Sequence, residues 1–187
     1  MSERVRVYEV GPRDGLQNEA AVIPTATKQR FIELLAAAGL REIEATSFVA
    51  PKAIPQLSDA DRLLPALPRP PGVRYPVLVP NLRGLARAEA AGADAVAVFT
   101  AATDAFTQAN IGMTIDESIA AFAPVLERAG ELGWWRRAYV STAFGCPYTG
   151  RVDPARAVEV AVRLLALGVD EICFGDTIGV GVPSQVV

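Results

Sequence analysis

Residues 36–48, AAAGLREIEATSF, join the end of an alanine- and leucine-rich helix to an apolar strand through a single glycine. The same arrangement recurs in AAGADAVAVFT (90–100) and in LALGVDEICFGDT (165–177). A glycine suits this place because helices often end on a residue with left-handed backbone geometry, which a side chain disfavours. A repeated helix–glycine–strand unit predicts alternating strands and helices around a parallel sheet.

The remaining patterns continue this alternation. The predicted strands are 5–10, 42–46, 75–80, 95–99, 137–141 and 171–174. The predicted helices are 25–38, a short one after Ser58, 82–90, one opened by a Thr114–Glu117 capping box, and one opened by Asp153-Pro154 and ended before Gly168. These elements predict an α/β fold, a (β/α)₈ TIM barrel of which the chain covers about the first six βα units and stops inside the sixth. A complete doubly wound sheet is the second possibility, although no G-x-G-x-x-G follows the first strand.

Composition restricts the class of protein. The chain has 187 residues, 51% of them hydrophobic, and a net charge of −3. We therefore predict one globular domain, 1–187, without the basic cluster of a nucleic-acid-binding protein. The apolar runs are too short for a membrane span, and the start lacks the pattern of a signal peptide. Two cysteines in a chain of this size suit a reducing compartment, so we expect a soluble cytoplasmic protein.

Polar side chains collect where the predicted strands end. Arg13 and Asp14 follow the first strand, and Glu44 and Ser47 lie on or after the second. The corresponding later positions are Asn81, Tyr139, Ser141, Asp176 and Thr177. Because the carboxyl ends of parallel strands carry the ligand sites of α/β folds, we predict a functional site at this edge of the sheet.

Several of these residues also have a purely structural interpretation. Asp14-Gly15 is a common turn, and Arg13 beside it could form a solvated ion pair. Asp176 could cap the helix that follows, and Asn81 and Asn110 could be turn or cap residues.

Glu44 is harder to explain structurally, because a strand buried on both faces should be continuously apolar and an unpaired buried carboxylate is costly. Its pattern predicts a partner, either Arg13 or a metal ion. A carboxylate next to a guanidinium suits chemistry that develops an oxyanion beside a bound divalent cation. Neighbours in a strand face opposite ways, so Gly11-Pro12 must bend the chain before Arg13 and Asp14 can both face the site.

Several stretches closely resemble the hydroxymethylglutaryl-CoA lyase family of the DRE-TIM metallolyases. They are VGPRDGLQNE (10–19), EATSFVAPKAIPQ (44–56), YPVLVPNLRG (75–84), FTQANIG (106–112), STAFGCPYTGRVDP (141–154) and FGDTIGVGVP (174–183). The resemblance extends over essentially the whole chain. It implies a (β/α)₈ barrel that cleaves hydroxymethylglutaryl-CoA to acetyl-CoA and acetoacetate, in leucine degradation and ketone-body formation, with Mg²⁺ or Mn²⁺ as cofactor.

The resemblance also implies roles for individual residues. Arg13 would hold the carbonyl oxygens of the substrate and stabilise the enolate of acetyl-CoA. Asp14 would bind the metal and help to move the proton of the tertiary hydroxyl, and Glu44 would support both as a third catalytic residue. The residues that would line or brace the pocket are Gln17, Ser47, Asn110, Tyr139 and Asp176.

Some residues of the family pattern are missing. The family completes its site with an H-x-H pair, a later asparagine and a cysteine on a glycine-rich loop, which we expect beyond Val187, since the chain has no histidine. We do not assign that cysteine's catalytic role to Cys146, and Cys173 is predicted to be core. We expect little activity from these 187 residues alone, and self-association.

Other readings stay open at this point. They are a lyase or aldolase acting on another 3-hydroxyacyl-CoA, and a truncated, non-catalytic binding or assembly fragment. The expected partners are an acyl-CoA substrate and, for the full-length protein, a second copy in a homodimer, with no nucleic acid and no membrane.

Overall fold

The computed structural model describes residues 5–186, which divide into two compact units, one up to Val96 and one from Ala97. Each unit alternates helices with strands, as the repeated helix–glycine–strand pattern predicts. The outer bounds of the predicted domain, 1 and 187, lie outside the described residues, and the single-domain assignment stays a prediction.

The first unit contains four short strands and three helices. Its elements are β1 (Tyr8–Glu9), a π-helical turn (Gly11–Gly15), α1 (Thr25–Ala37), β2 (Glu42–Ile43), β3 (Thr46–Ser47), a 3₁₀ turn (Pro55–Leu57), α2 (Ala60–Ala66), β4 (Val77–Leu78) and α3 (Leu82–Ala90). Strand β1 pairs in parallel with β2, and β3 pairs in parallel with β4. The predicted parallel arrangement is therefore present in this unit.

The predicted strand 42–46 is divided into β2 and β3. The amide of Ala45 donates to the carbonyl of Pro76, and the next such bond to this neighbour comes from Phe48, which donates to Leu78. An undisturbed parallel ladder would use the amide of Ser47 instead, so the chain contains one extra residue here, as in a β-bulge. The sequence did not predict this local irregularity, because the hydrogen bonds that define it join segments about thirty residues apart.

The start of α3 lies unusually close to the end of β3. Asn81 caps this helix by accepting a hydrogen bond at 3.0 Å from the amide of Gly84, which confirms its interpretation as a cap. A Cβ atom at Gly84 would lie 2.7 Å from the carbonyl oxygen of Phe48. Because that oxygen belongs to the backbone and cannot rotate away, only glycine fits at this position.

A buried lysine fixes the segment between β3 and α2 against α1. Lys28 is 1% exposed, and its Nζ donates to Asp59 Oδ1 at 2.7 Å and to the carbonyl of Gln56. Thr25 donates to the second carboxylate oxygen of Asp59, also at 2.7 Å. The sequence analysis did not identify Lys28, although it lies one helical turn before the buried Ile32, on the face of α1 that packs inward.

The second unit is built around longer strands. Its elements are β5 (Ala95–Ala101, which begins in the last residues of the first unit), α4 (Asp104–Ile111), α5 (Ile115–Glu131), β6 (Trp135–Ser141), β7 (Gly145–Cys146), β8 (Gly150–Arg151), α6 (Pro154–Ala166), β9 (Glu171–Phe174) and a 3₁₀ turn (Pro183–Gln185). Strand β6 lies between β5 and β9, and β6 and β9 are parallel. The short antiparallel pair β7–β8 was not predicted.

Helix caps in this unit agree with the sequence. Thr114 and Glu117 form the predicted capping box at the start of α5, and Asp153 accepts from the amide of Ala155 at the start of α6. Helix α4 was not predicted, and its N-cap residue Thr103 makes no capping bond with its side chain. Among the described residues, no helix is both long and apolar enough to cross a membrane.

We expect Gly84→Ala to destabilise the protein by about 1–3 kcal/mol, because the added methyl group overlaps a backbone oxygen that cannot move away. Urea denaturation of the complete gene product that carries this chain would measure the change. Gly130→Ala is the matched control, since its Cβ would meet only the flexible end of Arg136 and alanine favours a helix. Equal stability of the two variants would contradict the close approach of α3.

We expect Lys28→Met to cost about 3–5 kcal/mol of stability, because it leaves the carboxylate of Asp59 buried without its cation. The double variant Lys28→Met/Asp59→Leu should recover part of that loss. Arg30→Met, which breaks the exposed pair with Glu33, should change stability by less than about 1 kcal/mol. A similarly small effect of Lys28→Met in thermal denaturation would show that the buried pair does not stabilise the fold.

Candidate functional site

The turn after β1 brings the side chains of Arg13 and Asp14 into contact with each other. The carbonyl of Val10 accepts hydrogen bonds from the amides of Arg13 (3.1 Å), Asp14 (2.7 Å) and Gly15 (3.4 Å). This π-helical turn begins with Gly11-Pro12, where proline needs no amide donor and has a φ suited to a helical start. The expected bend is therefore present, and it ends the extended conformation in which neighbouring side chains face opposite ways.

Glu44 is fully buried and has the guanidinium partner that its pattern predicts. Its side chain is 0% exposed, and Oε1 accepts a hydrogen bond from Arg13 Nε. Its other oxygen, Oε2, accepts from the hydroxyl of Tyr8 at 2.8 Å. Both carboxylate oxygens are thus engaged, which offsets the cost of removing this charge from water.

Arg13 connects this buried carboxylate to an exposed one. Its Nη1 donates to Asp14 Oδ1 at 2.7 Å, and its side chain is only 11% exposed, whereas that of Asp14 is 54% exposed. Tyr8, Arg13, Asp14 and Glu44 together are called the Arg13 cluster. In this cluster the carboxylate of Asp14 is exposed to solvent, and it lies beside the guanidinium of Arg13. The buried carboxylate of Glu44 holds that guanidinium in its orientation.

Tyr8 was missed by the sequence analysis. It lies on β1, and its hydroxyl reaches Glu44, which directly follows the neighbouring strand β2. The available signal was the parallel pairing of the first two strands, which places residues of β1 beside those of β2. Without the register, nothing in the sequence selects Tyr8 over the other residues of the first strand.

Ser47 is buried beside this cluster, but its hydroxyl is engaged with the backbone. Its Oγ donates to the carbonyl of Leu78 at 3.2 Å, and that carbonyl also accepts from the amide of Phe48 at 2.8 Å. Gln17 follows the π-helical turn and is half-buried. The binding roles predicted for Ser47 and Gln17 stay predictions.

The remaining predicted residues belong to the second unit. Tyr139 lies half-buried on β6, with the guanidinium carbon of Arg137 5.1 Å from its ring centre. Asp176 shapes the loop after β9, where its carboxylate accepts from the amides of Val180 (3.0 Å) and Gly181 (2.8 Å). Asn110 is exposed near the end of α4. Their pocket-lining roles also stay predictions.

Cys146 is buried at 1% exposure on β7. Burial by itself raises the pKa of this thiol, but hydrogen bonds from the side chains of Thr103 and Thr149 and from the amides of Tyr148 and Thr149 lower the pKa to about 7. The Thr103 hydroxyl lies 3.2 Å from Sγ. The thiol is thus acidic and enclosed.

The donor set for a metal ion is small. Within residues 5–186, no group of three or more histidine, cysteine or acidic residues could hold a metal ion. In the Arg13 cluster, the carboxylate of Glu44 is occupied by Arg13 and Tyr8, whereas that of Asp14 is exposed. Mg²⁺ commonly binds proteins through one or two carboxylates and keeps several waters, so Asp14 fits as one ligand of such an ion.

Comparison with known proteins gives close relatives. The HMGL-like family model matches residues 4–187. The mitochondrial hydroxymethylglutaryl-CoA lyase of Rattus norvegicus is 49% identical over 184 residues, which are 98% of this chain and 57% of the relative. The cytoplasmic 3-hydroxy-3-methylglutaryl-CoA lyase of the same species is 48% identical, over 99% of this chain and 54% of the relative. The chain thus spans a little over half the length of these relatives.

Solved structures give the same result for the fold. Hydroxymethylglutaryl-CoA lyase from Pseudomonas aeruginosa superposes with a TM-score of 0.93 at 47% identity, over 95% of this chain and 59% of that one. The Bacillus subtilis enzyme gives a TM-score of 0.95 at 41% identity, over 99% of this chain and 62% of that one. The predicted fold class, a (β/α)₈ TIM barrel covered for about its first six βα units, is confirmed, and the doubly wound alternative is wrong. The predicted resemblance is confirmed as well, and the chain belongs to the HMGL-like family.

Proposed function

We propose that the complete protein carrying this chain is a carbon–carbon lyase that cleaves hydroxymethylglutaryl-CoA into acetyl-CoA and acetoacetate. The observation that carries this proposal is the buried pair of Arg13, after β1, and Glu44, after β2, in a chain 49% identical to a hydroxymethylglutaryl-CoA lyase. The proposed substrate is therefore an acyl-CoA. A homodimer, Mg²⁺ or Mn²⁺ as cofactor, and a place in leucine degradation and ketone-body formation belong to the same proposal.

Cleavage of this substrate needs a proton acceptor at the tertiary hydroxyl and a positive charge at the thioester oxygen. The tertiary hydroxyl loses its proton, and its oxygen becomes the ketone oxygen of acetoacetate. The bond that breaks joins the hydroxyl-bearing carbon to the methylene next to the thioester. The electron pair of that bond moves to the thioester, which becomes the enolate of acetyl-CoA, and protonation of the enolate carbon completes the reaction. The proton that leaves the hydroxyl balances the proton that the enolate gains.

Arg13 is suited to the negative charge that develops on the thioester oxygen. Its guanidinium is buried and oriented by Glu44, so it needs little reorganisation when the charge appears. Arginine also remains protonated and presents its donors in a plane, which suits an enolate or a carboxylate better than the single ammonium of lysine. We assign the catalytic contribution of Glu44 to this orientation of Arg13.

Asp14 is suited to the hydroxyl end of the substrate. Its carboxylate is more than half exposed and lies 2.7 Å from Arg13, so a bound molecule can reach both groups at once. A divalent cation bound there would polarise the hydroxyl and lower its pKa. Asp14 would then hold the cation and help to accept the hydroxyl proton.

The two carboxylates of the Arg13 cluster therefore have different roles. Both carboxylate oxygens of Glu44 already accept a hydrogen bond from the protein, whereas the carboxylate of Asp14 is exposed and can bind a metal ion. Gln17, Ser47, Asn110, Tyr139 and Asp176 are proposed to line or brace the substrate pocket.

We expect Arg13→Lys to lower kcat by roughly 10²–10³-fold, because lysine keeps the charge but loses the planar donors. The measurement is acetoacetate release from hydroxymethylglutaryl-CoA by the complete gene product with Mg²⁺. Arg30→Lys, on the exposed face of α1, is the matched control and should behave as wild type. Faster turnover of another 3-hydroxyacyl-CoA by the wild type would move the assignment to that substrate, and no turnover of any of them would refute it.

We expect a chelator to abolish activity and added Mg²⁺ or Mn²⁺ to restore it, because Asp14 by itself binds such an ion weakly. Asp14→Asn should raise the metal concentration needed for half-maximal activity and lower kcat. Asp94→Asn is the matched control, since this exposed aspartate pairs only with Arg69 in the described chain. Undiminished activity in the chelator would rule out the proposed metal dependence.

A further inference from the structure

A further buried ion pair lies in the second unit. Arg137 on β6 pairs with Glu171 on β9, and the side chain of Arg137 is only 7% exposed. Replacing such a pair by apolar residues of similar size is often neutral or even stabilising. The presence of this charge inside the sheet therefore needs an explanation other than stability.

The strand register places this pair next to Tyr139. In the parallel ladder of β6 and β9, Arg137 lies beside Glu171 and Tyr139 lies beside Cys173. Arg137 and Tyr139 are alternate residues of β6, so their side chains leave the same face of the sheet, whereas the fully buried Ala138 leaves the other face. Tyr139 is nearer the carboxyl end of the strand, which is the end at which (β/α)₈ barrels bind their ligands.

The guanidinium of Arg137 contacts the ring of Tyr139. Its central carbon lies 5.1 Å from the ring centre, within the distance at which a cation is attracted to the face of an aromatic ring. The ion pair with Glu171 holds the guanidinium from the neighbouring strand. Because the cation is buried and held, its contact with the ring limits the orientations that the half-buried Tyr139 can adopt.

The neighbouring Arg136 offers a comparison within the same strand. Its Nε lies 3.5 Å from Asp170 Oδ2, and its side chain is 22% exposed. As the residue next to Arg137, it leaves the opposite face of β6 from Tyr139. Arg136 thus makes a similar ion pair to the residue before β9, in a position from which it cannot act on the ring.

We propose that Arg137, held by Glu171, is a positioning residue that orients the ring of Tyr139 so that the tyrosine hydroxyl meets the bound hydroxyacyl group. This inference rests on the proposed function, in which Tyr139 lines the substrate pocket. Arg137 acts through Tyr139, because it lies two residues further from the carboxyl end of β6. Its planar guanidinium suits this task, since it can pack against the ring and pair with a carboxylate at the same time.

The test is a double-mutant cycle on the complete gene product with Mg²⁺, in which Arg137→Met is combined with Tyr139→Phe. Alone, Arg137→Met should lower kcat/KM for hydroxymethylglutaryl-CoA roughly 10-fold, because a desolvated contact between cation and ring is lost. Tyr139→Phe removes the hydroxyl that Arg137 positions. In that background, Arg137→Met should therefore change kcat/KM by less than about twofold.

Arg136→Met is the matched control, because it breaks the ion pair on the opposite face and should leave kcat/KM unchanged. If Arg137→Met does not fold, Glu171→Gln takes its place in the cycle, since it releases the guanidinium and keeps Arg137. The inference is overturned if the chosen substitution leaves kcat/KM unchanged. It is also overturned if that substitution lowers kcat/KM by the same factor with and without Tyr139→Phe, which is the result expected of a purely structural pair.

Failure of the proposed function is distinguishable from failure of this inference. If the wild type releases no acetoacetate, the lyase assignment fails, and the same cycle is then measured by calorimetric binding of hydroxymethylglutaryl-CoA. A loss of affinity in Arg137→Met that disappears in the Tyr139→Phe background supports the inference. Equal losses in both backgrounds, no loss, or no binding to the wild type overturn it. If the wild type is an active lyase, the kinetic cycle alone decides.

Discussion

The burial of the carboxylate of Glu44 is the constraint on which the candidate site depends. A charge this deep in a sheet is tolerated only when donors replace water, and here Arg13 and Tyr8 engage its two oxygens. Arg13 is therefore oriented by a requirement of the fold, in the position that we propose for recognition of a negatively charged ligand. The contact between Arg13 and Glu44 thus neutralises the buried carboxylate and also orients the guanidinium that we propose to stabilise the enolate.

Several features of the surrounding fold hold the segments that carry or border this pair. The carbonyl of Val10 gathers three successive amides, so the chain turns sharply where β1 ends. The segment after β3 is fixed to α1 by the buried ion pair of Lys28 and Asp59, and α3 can approach β3 because Gly84 has no side chain. Each of these features limits the movement of a strand or loop that carries or borders a site residue.

The sequence was informative about the fold because the relevant signals are local. Glycines at helix ends, the capping box of Thr114 and Glu117, and apolar runs of strand length each depend on neighbouring residues, and the predicted α/β barrel followed from them. Prediction was poorer where geometry depends on hydrogen bonds between distant segments. The bulge between β2 and β3, the short helix α4 and the β7–β8 pair lie in short, largely polar stretches, which are too short to show a hydrophobic period.

For the candidate site, the sequence by itself determined which residues carry charge, that Glu44 is too polar for a buried strand, and that Arg13 and Asp14 follow the first strand. Only the tertiary structure decided that Arg13 is a partner of Glu44 and that Tyr8 engages the second carboxylate oxygen. The physical reason is that chemical character is a property of each residue, whereas satisfaction of a buried polar atom depends on register and approach between segments tens of residues apart.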